Sequence, residues 1–98
     1  MMYPFEFSEQ ALEDLADLWT FFERSFGAKI AQRHVDEVFD RVREMTAFPE
    51  SGAPHQGQRS GVRRWRAGMH FILYSFDGEL IRVQRVLNTR RGDLETEI

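Results

Sequence analysis

Between Leu12 and Met45 the apolar residues recur every three or four positions, whereas from Val62 to Asn88 they recur every second one. The first period belongs to helices with one buried side, the second to strands. Leu12, Leu15, Trp19, Phe22 and Phe26 form one stripe, with Glu13, Asp14, Asp17 and Glu23 largely off it, which predicts an amphipathic helix. Ser8 is placed to cap that helix with its side-chain oxygen, Phe7 and Leu12 have the spacing of a hydrophobic staple, and Gly27 is placed to end it. Ala31, Val35, Val38, Val42 and Met45, widened by Phe39, predict a second helix that stops at Phe48-Pro49. Two helices joined at one glycine must fold back as an antiparallel hairpin.

Ahead of the helices, Tyr3 to Phe7 alternates aromatic residues and predicts a short strand, which Pro4 confines to an edge. Residues 49 to 61 hold Gly52, Gly57 and Gly61 without periodicity and are expected to form a surface loop. Three strands are expected after it: Val62 to Ala67, Met69 to Phe76 and Glu79 to Asn88, with Asp77-Gly78 as a hairpin turn between the last two. In the first of these strands Arg63, Trp65 and Ala67 alternate with Val62, Arg64 and Arg66, which gives it one basic side. Phe71 to Tyr74 is apolar on both faces, as an interior strand would be. The tail from Thr89 to Ile98 has no clear period and is expected to be a turn or a mobile end. The predicted fold is α+β: an N-terminal edge strand, a two-helix antiparallel hairpin, then a three-stranded antiparallel sheet with helices on one face.

Composition narrows the function. Ninety-eight residues, 42% of them apolar, suit a single folded domain spanning 1–98. No apolar run approaches the roughly 18 residues of a membrane span, and the N-terminus lacks the pattern of a signal peptide, so a cytoplasmic protein without membrane partners is expected. With no cysteine there is no thiol chemistry, and three scattered His residues make a poor metal set, so neither metal nor other cofactor is expected. The net charge of −3 conceals an asymmetry: residues 1 to 50 carry five Lys or Arg against eleven acids, and residues 51 to 98 carry eight Arg against five acids. The planar guanidinium fork suits carboxylates and phosphates, so the second half is a candidate docking surface for an anionic partner.

Several segments together resemble a known family. They are Phe7-Ser8-Glu9-Gln10-Ala11-Leu12-Glu13-Asp14-Leu15 with Trp19, the Phe48-Pro49-Glu50-Ser51-Gly52 turn, the Arg63 strand, Ile72-Leu73-Tyr74, and Ile81-x-Val83-x-Arg85-Val86-Leu87. In order and spacing they resemble the ParE branch of the ParE/RelE toxin superfamily over residues 5 to 93. The resemblance implies a RelE-like fold and a toxin of the plasmid-stabilisation type, held in check by a cognate ParD-like antitoxin in a hetero-oligomer. It also implies DNA gyrase as the target, with no direct DNA binding unless the antitoxin is present. The family pattern after the last strand is His-x-x-Arg-Asp; here the sequence is Asn88-Thr89-Arg90-Arg91-Gly92-Asp93, with Asn in place of His and a glycine before the acid.

The alternatives are a ribosome-dependent messenger RNA endoribonuclease of the RelE type and an attenuated toxin that only binds antitoxin. Cutting RNA through its 2′-OH needs a base, an acid and cations for the phosphorane. Arginines abound, but proton carriers are scarce. The second half has no Lys, its His residues are His55 in the loop and His70 in a strand, and no Tyr follows Tyr74. A lone strand His or Tyr is more often a satisfied core residue than a catalyst. The residues therefore favour a non-catalytic inhibitor, and no catalytic residue is assigned. Candidates for contact with the target are Arg63, Arg85, Asn88, Arg90 and Arg91; candidates for the antitoxin are Arg64, Trp65, Arg66 and Arg82.

Overall fold

The computed structural model describes residues 2–54 and 61–88. Its elements are β1 (Phe5–Phe7), α1 (Glu9–Phe26), α2 (Ala28–Met45), β2 (Ala53–Pro54), β3 (Arg63–Ala67), β4 (His70–Phe76) and β5 (Ile81–Asn88). The strands form one sheet in the order β1-β5-β4-β3-β2.

The sheet has five strands, where an N-terminal edge strand and a three-stranded antiparallel sheet were expected; β1 is at an edge as expected, and the sheet is mixed. β1 lies parallel against β5, with Phe5 opposite Ile81 and Phe7 opposite Val83. This is possible because the whole helical hairpin and three further strands intervene, which gives the chain length to return in the same direction. At the other edge, β2 pairs Ala53 with Arg64 and Pro54 with Arg63. Two residues cannot display a period, so the sequence presents this stretch as loop. Residues 55–60 of that loop, including His55 and Gly57, lie outside the described residues, as does the tail from Thr89.

Ser8 caps α1 as expected, its Oγ accepting from the Ala11 N–H at 3.0 Å. The same hydroxyl donates to the Gln84 carbonyl at 2.8 Å, and the Ser8 N–H donates to the Val83 carbonyl at 2.9 Å. Gln84 is the extra residue of a bulge, since Leu73 opposes Arg85 while Tyr74 opposes Val83. A bulge leaves one residue out of the ladder, and here its carbonyl is satisfied by the helix cap. The cap therefore fixes where α1 leaves the sheet.

Gly27 joins the helices with φ 94, a conformation that favours glycine, and its N–H donates to the Glu23 carbonyl. The buried stripe of α1 is Ala11, Leu15, Leu18 and Phe22, rotated from the expected one; Leu12 is 54% exposed and Phe26 64%. The staple spacing has no counterpart in packing, because the ring neighbours of Phe7 are Phe5 and Phe39. On α2, Ala31, Val38, Val42 and Met45 are buried as expected, with Val35 and Phe39 packed at the margin. These two stripes close over Ile72, Tyr74, Ile81, Val83 and Val86. A second small cluster of Val62, Leu73 and Leu87 is also buried.

The β4–β5 register places Gly78 and Glu79, rather than Asp77 and Gly78, at the centre of the hairpin turn. Gly78 has φ 100 in the first central position. Asp77 instead accepts hydrogen bonds from the Glu79 and Leu80 N–H groups, which hold its carboxyl below the ordinary carboxylate value.

Candidate functional site

β3, β4 and β5 carry five arginines and neither Asp nor Glu. The strands thus form a cationic layer, and the guanidinium groups are held in different ways. Arg63 donates to the carbonyls of Glu50 and Gly52, both at 3.0 Å, and clamps the turn after α2. The Tyr74 hydroxyl accepts from the Gly52 N–H at 3.0 Å in the same place. Burial pushes the Tyr74 phenol above its ordinary value, against the smaller opposing effects of that N–H and of Arg63. Arg82 pairs with Glu6 on β1.

Arg85 reaches α1. Its Nε and Nη2 donate to the Asp14 carboxylate at 2.8 and 3.1 Å, and the Val86 N–H donates to the same group at 2.9 Å. Both side chains are largely covered, at 15% and 9% exposure. β1 pairs with β5 only as far as Val83, so Asp14 takes over the edge where β1 stops. A fork-to-carboxylate pair of this kind fixes the angle of α1 against β5.

Arg64 and Arg66 are differently placed. Their guanidinium carbons lie 5.4 and 5.6 Å from the centroid of Phe71 on β4, and Arg66 Nε also donates to the Gly68 carbonyl at 2.8 Å. Trp65 points the opposite way, packs against the main core and lies under Arg41 at 4.8 Å. The four residues expected to meet the antitoxin are thereby separated: Arg64 and Arg66 share one face, Trp65 lies on the helical side, and Arg82 is tied to Glu6. Of those expected to meet the target, Arg85 and Asn88 line one small cavity, Arg63 stands at the other end of β4, and Arg90 and Arg91 lie outside the described residues.

His70 is opposite Asn88 on β5 and 1% exposed. Its Nε2 is 3.3 Å from Nδ1 of His34 on α2. The His34 ring stacks on Phe22 at 3.7 Å between centroids, so an aromatic sandwich joins α1, α2 and β4. Among the described residues, Nδ1 of His70 has no hydrogen-bond partner. The Nε2–Nδ1 contact is one in which one imidazole donates to the other. Burial, with His34 adding to it, lowers the His70 pKa to about 4. A usable sign for His34 lies in its spacing, three residues after Ala31 and four before Val38, on the buried stripe. No such spacing marks the pairing of Asp14 with Arg85.

Beside this sandwich an apolar trough of about 500 Å³ opens at the tip of the hairpin, lined by Phe21, Phe22, Phe26, Ile30, His34, Met69 and Asn88. It shares Phe21, Phe22 and Asn88 with a cavity of about 40 Å³ that Asp14, Asp17, His70 and Arg85 also line.

The family described as ParE toxin of type II toxin-antitoxin system, parDE, matches residues 5–92. The toxin ParE1 of Caulobacter vibrioides is 31% identical over 87 residues, covering 89% of this chain and 90% of that protein. The chain belongs to the ParE toxin family. Its fold is similar to that in the chromosomal ParDE toxin–antitoxin system from P. aeruginosa, with TM-score 0.78, 18% identity, and 91% of this chain and 98% of that one covered. It is also similar to a chain of the RelBE2 complex from Mycobacterium tuberculosis, with TM-score 0.64, 22% identity, and 90% and 99% covered. The architecture is thus that of the ParE/RelE superfamily of type II toxins, and the chain is a toxin of that kind.

Within this ParE-family chain the geometry limits the available chemistry. Among the described residues no group of three or more His, Cys, Asp or Glu is placed to hold a metal ion, and no helix is long and apolar enough to cross a membrane. His70 is neutral and enclosed, and Tyr74 is a neutral phenol committed to Gly52. Neither stands beside Arg64 and Arg66.

Proposed function

We propose that this toxin acts by binding rather than by cutting, that its target is DNA gyrase, and that a ParD-like antitoxin neutralises it. The observation that carries the reading is the position of His70. It is the only imidazole on β3, β4 and β5, and it is turned into the helical layer, buried and uncharged. A ribonuclease needs a proton carrier within hydrogen-bond reach of its phosphate-binding cations. Among the described residues neither His70 nor Tyr74 stands beside Arg64 and Arg66. Resemblance to the ParE branch supplies gyrase as the target.

In this reading Arg64 and Arg66 take acidic side chains of the antitoxin, and Phe71 between them offers an apolar surface. Asn88, followed in the chain by Arg90 and Arg91, forms the end that meets the target. Arg63, Arg82 and Arg85 support these surfaces from within the fold, through the turn after α2, β1 and α1. The solved structures with this fold include the toxin–antitoxin complexes RelBE2 from Mycobacterium tuberculosis and DinJ-YafQ from E. coli, which supports a partner of that class.

Purified gyrase provides the test. Added toxin should reduce ATP-dependent supercoiling of relaxed plasmid in proportion to its concentration, and messenger RNA on ribosomes should stay intact. Undiminished supercoiling together with cleaved messenger RNA would reverse the assignment in favour of the RelE type of activity.

A further inference from the structure

One flank of α1 carries opposite charges that no described residue pairs. Asp17, Phe21 and Arg24 are spaced by four and three residues and so share a helical face. Phe21 is 50% exposed at the mouth of the apolar trough. Asp17 and Arg24 are both exposed, and neither forms an ion pair or hydrogen bond with a described residue. An acid one turn before an exposed aromatic and a base one turn after it read the same under a two-fold rotation through the aromatic.

We infer that this flank of α1 is a self-complementary docking surface for a second copy of the chain. Two α1 helices packed antiparallel about Phe21 set the two Phe21 rings against each other across the two trough mouths. Asp17 of each copy then faces Arg24 of the other. The same patch serves both partners, as a two-fold interface requires. A partner of uniform charge would satisfy one of these residues and repel the other, whereas an inverted copy satisfies both. Glu13, one further turn back on the same flank, adds to the negative end without disturbing the symmetry. A single helix flank covers less than the roughly 800 Å² per partner of a standard interface. The dimer is accordingly weak, with a dissociation constant on the order of 10 µM.

Sedimentation equilibrium of the isolated chain from about 1 to 200 µM reads this directly, without antitoxin or gyrase, so the result is separate from that of the gyrase assay. The wild type should pass from monomer to dimer across this range. Asp17→Arg and Arg24→Asp should each weaken association about tenfold or more, since each sets like charges face to face. The double variant carrying both changes should return to within about threefold of wild type. Phe21→Ser should remain monomeric, with circular dichroism confirming that it folds. A wild type that stays monomeric at 200 µM overturns the inference, as would occur if the flank serves only the antitoxin. A dimer that ignores the single charge reversals, or one that the double variant fails to restore, overturns it equally.

Discussion

Replacing His70 by Gln should remove a pH dependence of stability that the wild type carries between pH 7.5 and 5. In the folded chain the His70 pKa is lowered to about 4, against 6.5 for a free imidazole. Between those values the unfolded chain binds a proton that the native chain refuses, so stability is complete above pH 6.5 and is lost as pH falls toward 4. Of the total span, the part accessible between pH 7.5 and 5 is about 2 kcal/mol, at about 1.4 kcal/mol per unit. The charge would have nowhere favourable to go. His34 and Phe22 pack against the imidazole, Asn88 is opposite, and although Arg85, Asp14 and Asp17 line the adjoining cavity, Asp14 already serves Arg85. Urea unfolding at pH 7.5, 6.5, 5.5 and 5.0 for wild type and His70→Gln gives the test, because carboxylate titration common to both cancels in the difference. The variant starts less stable, and the gap should narrow by about 2 kcal/mol at pH 5. Curves that stay parallel across the range would refute the buried, neutral imidazole.

Three further substitutions probe the supports of the site. Asp14→Ala leaves the covered Arg85 guanidinium and the Val86 N–H without their acceptor and should cost about 2–3 kcal/mol in chemical denaturation, with Asp14→Asn intermediate because its amide oxygen still accepts from Val86. Tyr74→Phe removes the acceptor of the buried Gly52 N–H and should cost about 1–2 kcal/mol; Gly52→Ala should cost more, since a Cβ there would come 2.3 Å from the Tyr74 hydroxyl. Ser8→Ala deletes both the α1 cap and the donor to the bulged Gln84 carbonyl, with an expected loss of about 1–2 kcal/mol in thermal or urea unfolding.

The helical hairpin was legible because its signals are local. Ser8, Gly27 and the Val38-Val42-Met45 stripe each act within a few residues of themselves. The expected stripe on α1 is rotated from the buried one because seven aromatic or leucine residues surround the helix, and only the packing against the sheet decides that Leu18 is buried while Leu12 is not. The hairpin of β4 and β5 was visible in alternation and in Asp77-Gly78, yet its register was off by one, since the turn bonds of Asp77 are specific to the fold. β1 beside β5, Asp14 beside Arg85, and His34 beside His70 are all pairings across 36 residues or more. Such contacts depend on closure of the whole chain and leave no periodic mark. The arginines of β3 were recognisable as a basic strand, but alternation alone could not tell that Trp65 would serve the core while Arg64 and Arg66 would flank Phe71.

Inducing this chain in bacteria without an antitoxin, while following DNA synthesis by labelled thymidine and messenger RNA by 5′-end mapping, tests the central claim most directly. A binding inhibitor of gyrase should halt thymidine incorporation before growth stops and leave transcripts whole. Continued DNA synthesis accompanied by transcripts cut within codons would contradict it.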